Sequence, residues 1–154
     1  MNGYLMDTNH VTAWEGQNPS LIAKVDSLPK NTTLIYASVI TLGEISASHE
    51  ITSGDAKRRH QVKQFLNVYV IPDALSISDD TPFYYGQIMG RIWQRHPPPN
   101  DKKRTEQHLV DLGVDINDVW IVAAAWEHGL IFLTTDKMPC IREAVSEVTF
   151  DTWL

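Results

Sequence analysis

Two short apolar runs lead into acidic side chains, and helical patterns fill most of the chain between them. Tyr4-Leu5-Met6 runs directly into Asp7-Thr8-Asn9, and Leu130-Ile131-Phe132-Leu133 runs through Thr134-Thr135 to Asp136. Strands are expected at 4–6, 34–38, 68–71 and 130–133, each separated from the next by helical patterning. Such alternation predicts an α/β chain: a three-layer α/β/α sandwich with a mostly parallel central sheet. In sheets of this kind the ligand crevice lies beyond the carboxyl ends of the strands. Asp7 and Asp136 both fall on that edge.

The helices have recognisable signals. Asn18 is the expected N-cap of one, with Pro19 at its first position, and Pro29-Lys30-Asn31 turns the chain into the second strand. Thr41 is expected to open a helix to about residue 51, broken by Ser53-Gly54 and followed by another over 55–67. A third spans 80–95 and stops at Pro97-Pro98-Pro99, since proline disfavours helix at the residue before it. An exposed loop over 97–103, a short helix over 105–112 and a helix headed by Asp118 and ending near His128-Gly129 follow. A last short helix over 141–145 precedes an extended piece over 148–153.

A length of 154 residues with 43% hydrophobic content predicts a single domain over 1–154 with a sizeable core. No apolar stretch is long enough for a membrane span, and the polar turn at Asp7 does not read as a secretory signal. Cys140 is the only cysteine, so an internal disulfide and a cysteine zinc cluster are excluded and a reducing cytosol is the expected setting. The charge, 13 − 19 = −6, argues against a partner gripped by a large basic surface. Local basic clusters at Lys57-Arg58-Arg59, at Arg91 and Arg95, and at Lys102-Lys103-Arg104 read as solvated helix faces before they read as binding patches.

Four acids repay individual scrutiny: Asp7, Glu44, Asp118 and Asp136. Each has an ordinary reading. Thr41-x-x-Glu44 matches a capping box, Asp118 suits the positive end of a helix with Asp115 and Asn117 competing for the cap, and Asp7 and Asp136 suit turns. Together they ask for more. The run 119–125 is apolar nearly all round, which places the Asp118 helix at the centre of the domain. An acid opening a buried helix is costly unless paired or bound to a cation, and neighbouring carboxylates raise one another's pKa. One or two Mg²⁺ or Mn²⁺ ions, which favour carboxylate and water oxygens, resolve the conflict.

The order Leu-Met-Asp7-Thr-Asn, Ser38-Val-Ile-Thr-Leu-Gly-Glu44-Ile, Asn-Asp118-Val-Trp-Ile-Val-Ala-Ala and Leu-Thr134-Thr-Asp136 resembles the PIN-domain family, and within it the VapC-type toxins of bacterial toxin–antitoxin pairs. The likeness extends to Tyr85-Gly86 and to the terminal Phe150-Asp-Thr-Trp153. It departs in the polar segment 97–108 and in Ile121-Val122-Ala123, where the family has Ile-Ala-Ala. The resemblance implies a magnesium-dependent endoribonuclease whose acidic quartet falls on Asp7, Glu44, Asp118 and Asp136. Asp7, Asp118 and Asp136 would hold the metal, and Glu44 would bind it through water or orient the nucleophile. Thr134, Thr8, Asn9 and Ser38 would support them, and a water activated by the cation would attack the RNA phosphodiester of a tRNA or rRNA. It further implies a cognate antitoxin lying across the groove and a homodimer, with the faces of 41–67 and of the Tyr84 helix as candidate surfaces.

Competing readings remain open at this stage. A catalytically silent PIN-like module, binding nucleic acid or protein, would use the acids as structural caps. An aspartyl-phosphate phosphatase wants a second aspartate two positions after the first, where Asn9 stands. The six histidines show no paired zinc spacing, though His10 lies beside the crevice as a residue that could touch substrate. Cys140 reads as packing.

Overall fold

A computed structural model of the chain describes residues 2–51, 57, 60, 64, 74–100 and 105–154. Its four described strands are β1 (Asn2–Met6), β2 (Thr33–Ala37), β3 (Ile131–Leu133) and β4 (Phe150–Asp151), all parallel, in the order β2-β1-β3-β4. The described helices are α1 (Thr8–Glu15), α2 (Pro19–Ser27), α3 (Val39–Ile51), α4 (Thr81–Arg95), α5 (Thr105–Asp111), α6 (Ile116–Glu127) and α7 (Pro139–Ala144).

Side-chain alternation along the strands separates two cores. Leu5 and Phe132 point to one face, where they join Ile88 and Ile92 of α4, the Val119-to-Ala125 stripe of α6, and Ile141 of α7. Met6 and Leu133, one residue further on, point to the other face with Ile35, Ala37, Val11, Leu21, Val25 and Ile45. A period of two in a strand requires this division. The result is the expected three-layer sandwich, with α1, α2 and α3 on one side of the sheet and α4, α6 and α7 on the other.

The strand order has a direct consequence for function. From β1 the chain passes to β2 on one side, while β3 and β4 extend the sheet on the other. The connections therefore diverge between the carboxyl ends of β1 and β3, and a crevice opens where they part. Asp7 leaves β1 at that point, its backbone N–H continuing the ladder to Leu133 O at 2.9 Å.

Several boundaries differ from the sequence reading. Helix α1 begins immediately after Asp7, a segment for which the sequence offers little: TNHVTAWE is poor in helix formers, and its buried stripe is His10, Val11 and Glu15. Helix α3 begins at Val39, not Thr41, because the Ser38 hydroxyl caps it by accepting Ile40 N–H at 3.1 Å. The capping box at Thr41 is therefore not formed, and the Thr41 hydroxyl is buried without a partner among the described residues. At α6, Asp115 takes the cap, accepting Asn117 N–H at 2.7 Å. The final extended piece shortens to β4. The helix over 55–67, the strand over 68–71 and the cluster Lys102-Lys103-Arg104 lie, apart from Lys57, His60 and Gln64, outside the described residues.

Candidate active site

Asp7, Glu44, Asp118 and Asp136 line one open cleft of about 600 Å³ together with Thr8, Asn9, Thr12 and Ala13. They arrive from four places: the end of β1, the second turn of α3, the first turn of α6 and the loop after β3. Glu44 is thus a mid-helix residue rather than the opening residue that its sequence context implied. Asp136 stands three positions beyond the end of β3, tied back by its N–H to the Thr134 hydroxyl at 3.1 Å.

Neutral donors surround the carboxylates. Asp7, 3% exposed, caps α1 by accepting Thr8 N–H at 2.7 Å with Oδ1, while Oδ2 accepts the Thr134 hydroxyl at 2.7 Å. The Asn9 amide nitrogen lies 3.3 Å from each of Asp7 Oδ2, Thr134 Oγ1 and Asp136 Oδ2. Glu44 accepts a short hydrogen bond from the Thr8 hydroxyl and another from the Asn117 amide at 3.0 Å. Thr8, Asn9 and Thr134 therefore each hydrogen-bond to an acid of the cleft. Ser38 does not join them, because its hydroxyl is committed to the start of α3. Asn117, a competitor for a helix cap on sequence grounds, instead reaches Glu44.

Electrostatics set this cleft apart. Burial pushes the Asp118 carboxyl up to about 7, and the negative charges of Asp7, Asp115, Asp136 and Glu44 push in the same direction. Asp7 is also raised, first by burial and then by Asp136 and Glu44, with hydrogen bonds from Thr134 and Thr8 opposing. Four carboxyl groups sharing a cleft whose described lining holds no Lys or Arg are under electrostatic tension that protons or a bound ion would relieve.

The donor set fits a hydrated hard cation. Among the described residues no group of three or more His, Cys, Asp or Glu side chains is assembled closely enough to hold an ion alone. Mg²⁺ does not need such a cage, since it keeps several waters and is bound through one or two carboxylates. The carboxyls of Asp7 and Asp118 are both raised, and Asp136 and Glu44 line the same cleft.

Three residues near the cleft have roles the sequence did not reveal. His10 is fully buried, so it does not face the crevice; its Nδ1 lies 2.8 Å from Asn9 Oδ1 and its Nε2 accepts Trp153 N–H at 3.1 Å. Arg142 donates to Asp136 O at 3.0 Å and lies 4.3 Å over the Phe150 ring, pinning the Asp136 loop from below. Lys137 and Arg142 also line a second cleft, of about 570 Å³, that shares Asp136 with the first. Nothing in the spacing of these residues signals their convergence. Arg91 and Arg95 lie elsewhere and are used internally: Arg91 pairs with Glu147 at 2.9 Å, and both donate to carbonyls at the end of α7.

No family model matches the chain, and neither does any curated protein. Solved structures do match along the whole length. A chain of VapBC2 from Rickettsia felis, bound to a DNA fragment from their promoter, is 16% identical with a TM-score of 0.71, covering 99% of each chain. FitAcB from Neisseria gonorrhoeae is 21% identical with a TM-score of 0.62, covering 96% of this chain and 95% of that one. VapBC-5 from Mycobacterium tuberculosis, a member of the VapBC family of toxin-antitoxin systems, is 20% identical with a TM-score of 0.52 and 99% coverage of each. At these identities the likeness is one of fold: the chain has the PIN-like architecture that its motifs led one to expect.

Proposed function

We propose that this chain is a PIN-domain endoribonuclease of the VapC type, the toxin of a toxin–antitoxin pair. One observation carries the proposal: acids from four separate elements meet in one cleft at the sheet's switch point, and Asp118 is pushed up to about 7 there. Structural caps have no need to converge. The shared fold with chains of VapBC complexes supports the same reading.

In this proposal Asp7 and Asp118 hold a Mg²⁺ or Mn²⁺ ion, assisted by Asp136. When bound, the cation would supply Lewis acidity at the phosphate and lower the pKa of a water so that its hydroxide form is available as nucleophile. Thr134 keeps the Asp7 carboxylate oriented through its 2.7 Å hydrogen bond. Glu44, fixed by Thr8 and Asn117, faces the cleft as the acceptor that orients the attacking water. The adjoining cleft gives the RNA a way past the acids, with Lys137 and Arg142 offering cationic groups to a phosphate beside the scissile one. The proposed partners are an antitoxin across the groove and a second copy of the chain, which would cover exposed apolar side chains such as Ile51, Phe83 and Val110. No described helix is long and apolar enough to cross a membrane. Because the proposed substrate is cellular RNA, the proposed setting is the cytoplasm.

The test is cleavage of cellular RNA by purified protein, with Asp7→Asn as the control because asparagine can keep the α1 cap. Cleavage that requires Mg²⁺, stops with chelator and is absent from the variant is the expected result. RNA left intact under Mg²⁺ would reject the hydrolase reading in favour of a silent binding module. A phosphatase reading fails on structure as well as sequence, since the position two after Asp7 holds an amide bonded among the acids.

A further inference from the structure

We infer that His10 is the positioning residue of the acidic cleft: gripped from behind by the backbone of Trp153, it fixes the Asn9 amide across Asp7 and Asp136. This rests on the hydrolase reading for its consequence, but its geometry stands independently. The Trp153 N–H can only donate, so His10 Nε2, 3.1 Å away, must be the unprotonated acceptor. A neutral imidazole then carries its proton on Nδ1, which donates to Asn9 Oδ1 at 2.8 Å. That oxygen also faces Thr135 N–H at 3.4 Å. With the oxygen side engaged, the Asn9 NH₂ is turned to Asp7, Thr134 and Asp136, at 3.3 Å from each.

Every link has one direction, so the amide orientation is settled from the C-terminal segment inward. Burial keeps the ring neutral, holding the imidazole down at about 4, against a smaller opposing effect of Asp151; the Trp153 N–H then selects the tautomer. The link also joins distant parts of the chain, because Trp153 packs its ring against Tyr4 of β1 at 4.7 Å. A freed Asn9 could rotate away or turn its carbonyl toward two carboxylates. Either change leaves Asp7 and Asp136 without their shared donor and poorly placed for a cation.

Two measurements test the inference. In ¹⁵N-labelled, metal-free protein at neutral pH, the His10 nitrogens should show the neutral form protonated at Nδ1. An Nε2-protonated or doubly protonated ring would overturn it. Second, Mn²⁺ affinity is compared for His10→Leu and His10→Asn, with folding verified by thermal unfolding. Leucine fills the space without a donor, whereas an asparagine amide can donate from the position of Nδ1. His10→Leu should weaken binding about 10- to 100-fold, the usual cost of losing a supporting hydrogen bond at a metal site, and His10→Asn should restore most of it. Equal losses in the two variants would show a packing role and overturn the inference. Should His10→Leu fail to fold, the tautomer decides. Absence of Mn²⁺ binding to the unaltered protein would instead reject the hydrolase reading, with the tautomer still deciding the orientation of Asn9.

Discussion

Asp118→Asn is expected to lower Mg²⁺-dependent RNA cleavage by at least about a hundredfold, the scale of removing one preorganised electrostatic group from an active site. The same substitution should raise the melting temperature of the metal-free protein at pH 8. Both effects have one origin. The Asp118 carboxylate is half-buried beside three other acids of the cleft and resists ionisation until about pH 7. Asparagine keeps the shape and removes the repulsion, at the expense of the oxygen that a cation needs. An acid that served only the positive end of its helix would behave differently: neutralising it would lower stability, and cleavage would persist. Unfolding curves and a cleavage assay on the same preparation distinguish the two.

A second large effect concerns pH and metal together. The folded-state pKa of Asp118 is raised from 3.8 to about 7, so the folded chain binds a proton more tightly than the unfolded chain does. The stability contributed by that proton is fully present below about pH 4 and is lost as pH rises through about 7. Asp7, shifted in the same direction, adds to the trend. Metal-free protein should therefore melt at a lower temperature at pH 8 than at pH 5. Mg²⁺ or Mn²⁺ should reverse this, because the cation binds the ionised carboxylates. At about 100 times the dissociation constant, linkage gives about 2.7 kcal/mol, or a rise of roughly 5–10 °C for a domain of this size. The rise should be larger at pH 8 than at pH 5. Melting that is indifferent to the ion at pH 8 would contradict the account of the cleft.

Much of the fold was legible because its signals are local. The apolar runs at β1 and β3, Pro19 after Asn18, the proline triplet after α4, and Gly129 after α6 each act through their own backbone geometry. The four acids were legible individually, and the strand-end rule brought two of them to one edge. Less legible was whatever tertiary contact decides. Helix α3 starts two residues before Thr41 because Ser38 caps it where β2 ends, and this removes the capping-box reading of Glu44. Helix α1 has weak propensity and is secured by the Asp7 cap and by burial of His10 and Val11.

The supporting residues were hardest to place. Asn9 and Thr134 were named beside the acids, but the amide's position between Asp7 and Asp136 depends on a histidine that contacts neither carboxylate. His10 read as a residue of the crevice, yet a helix turns successive side chains about 100° apart, which sends it into the interior while Asn9 faces the acids. Arg142 reaches the Asp136 backbone from six residues away, across a helix start that no spacing rule encodes.

The most direct measurement is an anomalous difference map from crystals grown with Mn²⁺. A peak in the cleft at about 2.1 Å from oxygens of Asp7 and Asp118, with Asp136 and Glu44 bound directly or through water, is the expected result. No peak there at saturating Mn²⁺, with the carboxylates keeping only their bonds to Thr8, Asn9, Thr134 and Asn117, would contradict the claim that these acids share a cation.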